Sequence, residues 1–172
     1  MGNFDPRRAT AIHEAGHVVA HIRLNIEYGH VTIAPKGDTL GAATAAGQEH
    51  VWKKEDAGPM VIAFCAGYAA MIAAGYSEED ARRGCDDDFE QAAELLDYWG
   101  LPDGLEAWQP RAVELMRSPE NVSAVALFAE HLLRHERLEA DYLDVLIELA
   151  DGAITEADFA HYRLLRGGDA PP

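Results

Sequence analysis

The sequence predicts a mainly α-helical protein in one domain, an array of about six or seven helices with one small two-stranded β-ribbon. Three observations carry that expectation. Apolar residues recur at i, i+3 and i+4 spacing between start and stop signals over most of the chain. Only two short runs, residues 30–34 and 40–45, are β-prone, and they flank a turn-forming Pro35-Lys36-Gly37-Asp38. The 172 residues, 48% hydrophobic and 26% charged, suit a single core that buries about 70% of the unfolded surface. Without an internal repeat or a long linker, residues 1–172 read as one unit.

Each element has a local reason. Asp5 followed by Pro6 opens the first helix, and Ala11, Ile12, Ala15, Val18, Val19 and Ile22 cover so much of its circumference that it must be largely buried. After the ribbon, Glu55 and Asp56 precede an apolar helix over residues 59–74, with Pro59 in its first turn and Gly75 as its cap. Residues 57–76 carry no charge and are long enough to cross a bilayer, but Ala and Gly make up about half of them, which reads as a core helix open to close approach. Ser77 and Asp80 form a capping box for a short piece ending at Gly84. Asp86, Asp87 and Asp88 open a helix marked by Phe89, Ala92, Ala93 and Leu96. Further helices are expected over residues 105–116, from Ser118-Pro119 to about 135, over 139–150, and from Thr155 over 156–166, with 167–172 as a frayed tail.

Charge and cysteine count narrow the function. Thirty acidic against 14 basic side chains give a formal net charge of −16, which repels nucleic acid and anionic lipid. Cys65 and Cys85 are too few for a disulfide framework or a cysteine zinc cage. The first residues lack the apolar core of a signal peptide, so a cytoplasmic protein without a membrane span is expected.

The first helix carries His13-Glu14-Ala15-Gly16-His17, an HExxH motif. Residues four apart stand about 40° apart around a helix and about 6 Å along it, so both imidazoles can aim at one ion. Glu14 falls about 60° beyond His17, beside the ion rather than on it. A zinc ion with three protein ligands keeps a place for water, from which Glu14 can take a proton as general base. His21 continues the series but stands about 12 Å along the axis from His13, whereas two nitrogens on one zinc are no more than about 4 Å apart. His21 is therefore a packed or hydrogen-bonded neighbour, and the third ligand comes from elsewhere in the fold. Cys65 reads as inert packing, and Cys85 lies outside the motif, with packing its main reading and an approach to the metal the lesser one. His131 and His135 repeat the i, i+4 spacing without a catalytic Glu and read as a solvated face; His30, His50 and His161 are isolated.

Four segments in order, AIHEAGHVVAHI, VTIAPKGDTLGAA, CAGYAA and GCDDDFEQA, resemble the peptidase domain of the FtsH family, the AAA-type ATP-dependent zinc metalloproteases. LFAEHLLRHERLEADYLDVL is similar to that family's closing helices, so the resemblance spans roughly residues 9–147. It implies a zincin-like helical fold, zinc as cofactor, polypeptide as substrate, and Asp88 as third ligand beside His13 and His17. Asp86 and Asp87 then read as caps or supporting groups. It also implies that an edge strand at Leu40, Gly41, Ala42, Ala43 and Thr44 pairs with the substrate backbone. The chain departs from the family in carrying Tyr68 for an Arg and Met71-Ile72 for an acidic pair, and in its alanine-rich ribbon. The family's ATPase module and membrane anchor are absent from these residues, so ATP binding is not expected. The competing readings are a zinc-binding interaction domain without proteolysis and a non-peptide metallohydrolase. A homo-oligomer or a separate partner protein fits either, and residues 152–166 read as a partner-binding or a last core helix.

Overall fold

The computed structural model describes residues 4–34, 42–43 and 53–166. Among them are nine α-helices and three two-residue strands, so the mainly helical expectation holds while the number of helices exceeds it. Helix α1 (Pro6–Arg23) starts where the sequence places it: the Asp5 carboxylate accepts the Arg7 and Arg8 amides at 3.0 and 3.2 Å, and Pro6 needs no donor in the first turn. It is the central helix. Ala11, Ala15, Val19 and Ala20 are fully buried.

Strand β1 (Val31–Thr32) pairs antiparallel with β2 (Ala42–Ala43), Val31 opposite Ala43, as the ribbon reading requires. A third strand, β3 (Arg137–Leu138), pairs with the other side of β1, Val31 opposite Leu138, so the sheet order is β2-β1-β3. The sequence reading lacks β3 because a two-residue strand has no periodicity of its own. It forms where Glu136 turns the chain in the left-handed region at φ 64°.

The expected single apolar helix is two. Helix α2 (Lys54–Phe64) begins ahead of Pro59, with the Asp56 carboxylate accepting the Lys53 amide at 3.3 Å. Helix α3 (Ala66–Ala73) follows after a 42° bend at Cys65. No single helix among the described residues is long and apolar enough to cross a membrane. The bent pair passes by length and composition alone, and Val61, Ala63, Cys65, Ala66 and Ala69 along it are buried in the fold.

The remaining helices are α4 (Glu78–Ala81), α5 (Asp86–Trp99), α6 (Leu105–Met116), α7 (Pro119–His135), α8 (Ala140–Ala150) and α9 (Glu156–Leu165). Ser77, Ser118 and Thr155 cap α4, α7 and α9 by accepting the amides of Asp80, Asn121 and Asp158. Helix α1 lies between α3 and α7; α2 packs on α5, α3 on α6, and α8 on α7. Met116, Phe128, Leu132, Leu138, Leu143 and Leu146 are fully buried, each contributing about 1.5–3 kcal/mol by leaving water. At its far end α1 is tied to the end of α8 by a two-pronged Arg23–Asp151 pair at 2.6 and 2.7 Å.

The solvated reading of the second histidine pair is corrected. His131 is 5% exposed, and its Nδ1 is hydrogen-bonded with the Tyr142 hydroxyl at 3.0 Å because α8 and α9 cover that face of α7. Phe159 of α9 is buried beside His131 and Tyr142, while Leu164 and Leu165 stay exposed. The tail 167–172 lies outside the described residues.

Candidate metal centre

Two imidazoles and one carboxylate converge from distant parts of the chain. Helix α1 projects His13 and His17 side by side, their rings edge to face at 4.7 Å. The first turn of α5 brings Asp88 across to them. Nε2 of His13 is 3.0 Å from Nε2 of His17 and 3.1 Å from Oδ2 of Asp88, and Nε2 of His17 is 3.3 Å from the same oxygen. Asp86 and Asp87, in the same turn, point outward and are exposed.

The far side of each ring is also occupied. His17 donates its Nδ1–H to the Ala63 carbonyl at 2.8 Å. That carbonyl lies at the end of α2, beside the break that separates it from α3. With Nδ1 so engaged, Nε2 of His17 is the nitrogen turned to the cluster, bare whenever the ring is neutral. Behind His13, Nδ1 lies 3.9 Å from Sγ of Cys85, whose thiol donates to the Ala81 carbonyl at 3.1 Å.

Two ring nitrogens and a carboxylate oxygen in mutual contact call for a positive charge among them, either a proton on His17 or a metal ion. Burial works against charge on His17, but its hydrogen bond to Asp88 and the charges of Asp88 and Glu14 outweigh this and push its pKa up to about 9. Burial likewise opposes ionised Asp88, yet its hydrogen bonding with His13 and His17 and the charge on His17 hold its carboxyl well below the usual carboxylate range. Burial and the nearby Asp88 charge push both Cys65 and Cys85 up to about 12, so both remain thiols.

The donor set fits a zinc ion. Tetrahedral ligands at about 2.0–2.1 Å stand roughly 3.4 Å apart, so the 3.0, 3.1 and 3.3 Å triangle need widen by only a few tenths of an ångström. His13, Cys85 and Asp88 also place ligand atoms within 4.8 Å of one another. The histidine pair with Asp88 is the better set, because the Cys85 thiol faces the other nitrogen of His13 and has its proton on Ala81.

Gly67 is the functional position that sequence reasoning missed. A Cβ built there would lie 2.5–2.6 Å from Cε1 and Nε2 of His13 and Nε2 of His17, so glycine lets α3 pass over the cluster without displacing either imidazole. Gly16 does the same for the helix pair: its Cβ would meet the Ala66 carbonyl and the Ala70 Cβ at 2.6 Å. Neither has a signal beyond the glycine itself.

Glu14 is 6% exposed and close enough to His17 for its charge to be felt there. His21 is separate from the cluster and bonds the Glu27 carbonyl at 3.2 Å through Nδ1, as its place on the helix requires. Of the ribbon residues, Ala42 and Ala43 form β2, which lies against α1 and has no second strand partner among the described residues. Leu40, Gly41 and Thr44 lie outside the described residues. No protein-family model and no curated protein matches the chain.

Proposed function

We propose that this chain is a zinc-dependent metallopeptidase that cleaves accessible or unfolded polypeptide, with His13, His17 and Asp88 holding the ion and Glu14 as general base. The observation that carries the reading is the triangle of His13 Nε2, His17 Nε2 and Asp88 Oδ2, with edges of 3.0, 3.1 and 3.3 Å, beside buried Glu14. The order of the four sequence motifs supports an FtsH-type peptidase.

A zinc ion held there supplies a Lewis acid that polarises a peptide carbonyl and lowers the pKa of water to about 7. His13 and His17 present neutral nitrogens and Asp88 a negative oxygen, leaving the set one positive charge when loaded. Glu14 accepts a proton from the attacking water and returns it to the departing amine. β2 has β1 as its only strand partner among the described residues, and residues 40–44 are the stretch proposed to pair with an extended peptide.

The test compares wild type with Glu14→Gln for zinc content by elemental analysis and for hydrolysis of an unfolded polypeptide. Both proteins should retain stoichiometric zinc, and turnover should fall about a hundredfold to ten-thousandfold in the variant. Zinc in both with no turnover in either supports an interaction domain instead. Wild type that binds no zinc overturns the metal reading.

A further inference from the structure

We infer that the Cys85 thiol is a positioning residue for His13, fixing which ring nitrogen is presented to the cluster; the inference rests on the zinc reading of His13, His17 and Asp88. Cys85 is fully buried at the residue preceding α5, three positions before Asp88. Its Sγ lies 3.1 Å from the Ala81 carbonyl and 3.9 Å from Nδ1 of His13, both within the range of sulfur hydrogen bonds. A thiol has one proton. Given to Ala81, it leaves a sulfur lone pair facing Nδ1, so in the neutral ring Nδ1 of His13 carries the proton and Nε2 is left bare.

That bare nitrogen is the one 3.0 Å from His17 and 3.1 Å from Asp88. His17 has its tautomer set by a backbone oxygen, which no substitution removes. His13 has its tautomer set by a side chain, which one substitution deletes. The thiol also lies on the Nδ1 side of the ring, away from the point where the three acceptor atoms meet, so it orients a ligand and does not serve as one.

The test uses the full chain with Cys85→Ala, Cys85→Val, Cys85→Ser and Cys65→Ala, the last as a buried-thiol control. Zinc affinity is measured by chelator competition, and the His13 ring nitrogens are followed by NMR in the zinc-free and zinc-loaded proteins. Cys85→Ala should weaken zinc binding about 10–100-fold and shift the His13 Nδ1 signal, and Cys85→Val, which fills the space without an acceptor, should do the same. Cys85→Ser, able to donate to Ala81 and accept from Nδ1, should recover affinity to within a few fold, and Cys65→Ala should match wild type.

Wild-type affinity and unchanged His13 signals in folded Cys85→Ala or Cys85→Val overturn the inference. A sulfur-to-metal charge-transfer band in the cobalt-loaded wild type, lost in both Cys85→Ala and Cys85→Ser, overturns it in favour of direct ligation. Failure of wild type to bind zinc or cobalt is a different result, and it removes the metal reading on which the inference stands.

Discussion

Gly67 and His17 face each other so closely that a Cβ at position 67 would stand 2.6 Å from Nε2 of His17, and as close to Nε2 of His13. A helix crossing two imidazoles at that distance forms the back wall of the cluster and fixes the direction both rings take. The missing side chain is thus part of the site.

Gly67→Ala should abolish high-affinity zinc binding while leaving the protein folded. Alanine is favoured over glycine in a helix by about 0.5–1 kcal/mol, so α3 itself gains. The loss arises from contacts of 2.5–2.6 Å that push both rings aside. Calorimetric zinc titration with a thermal melt separates the two effects, and wild-type affinity in a folded variant would refute the back-wall role.

Replacing Asp88 by Asn should cost more than a hundredfold in zinc affinity, beyond the 10–100-fold typical of supporting groups. Asp86→Asn and Asp87→Asn should change it little, because both side chains are exposed and only Asp88 touches the histidines. Equal affinities in all three would sink the assignment.

His21→Ala should retain zinc fully. Its imidazole bonds the Glu27 carbonyl and serves the end of α1. Metal loss matching that of His17→Ala would contradict the helix geometry that separates His21 from the cluster.

What the sequence discloses follows the range of each interaction. Asp5-Pro6, Ser118-Pro119 and Thr155 with Asp158 cap helices through contacts within a few residues, so those boundaries were legible. The His13–His17 pairing was legible for the same reason, being set by one turn of helix. Asp88 lies 75 positions from His13 and was reached through motif resemblance, since no local rule spans that distance. The break at Cys65 falls in an uninterrupted apolar run, where nothing local marks it. It becomes intelligible only once Ala63, just before it, is seen accepting from His17 on another helix. Strand β3, the burial of His131 and the role of Gly67 likewise depend on neighbours that only the fold supplies.

His131 should make the protein less stable as pH falls below neutrality. Burial, reinforced by the charges of Arg134, His135 and Arg163, lowers its pKa from 6.5 to about 4. The folded state therefore holds it neutral while the unfolded chain takes up a proton near pH 6.5. The unfolded state binds more protons across the window from about 6.5 down to about 4, so stability present above it is lost as pH falls through it. One such group gives a slope of up to about 1.4 kcal/mol per pH unit. Denaturant unfolding of wild type and His131→Gln between pH 7 and 5 isolates the effect above the main carboxylate range. The variant's stability should start lower and fall less steeply with acid, and parallel curves for the two proteins would show that His131 does not carry the pH dependence.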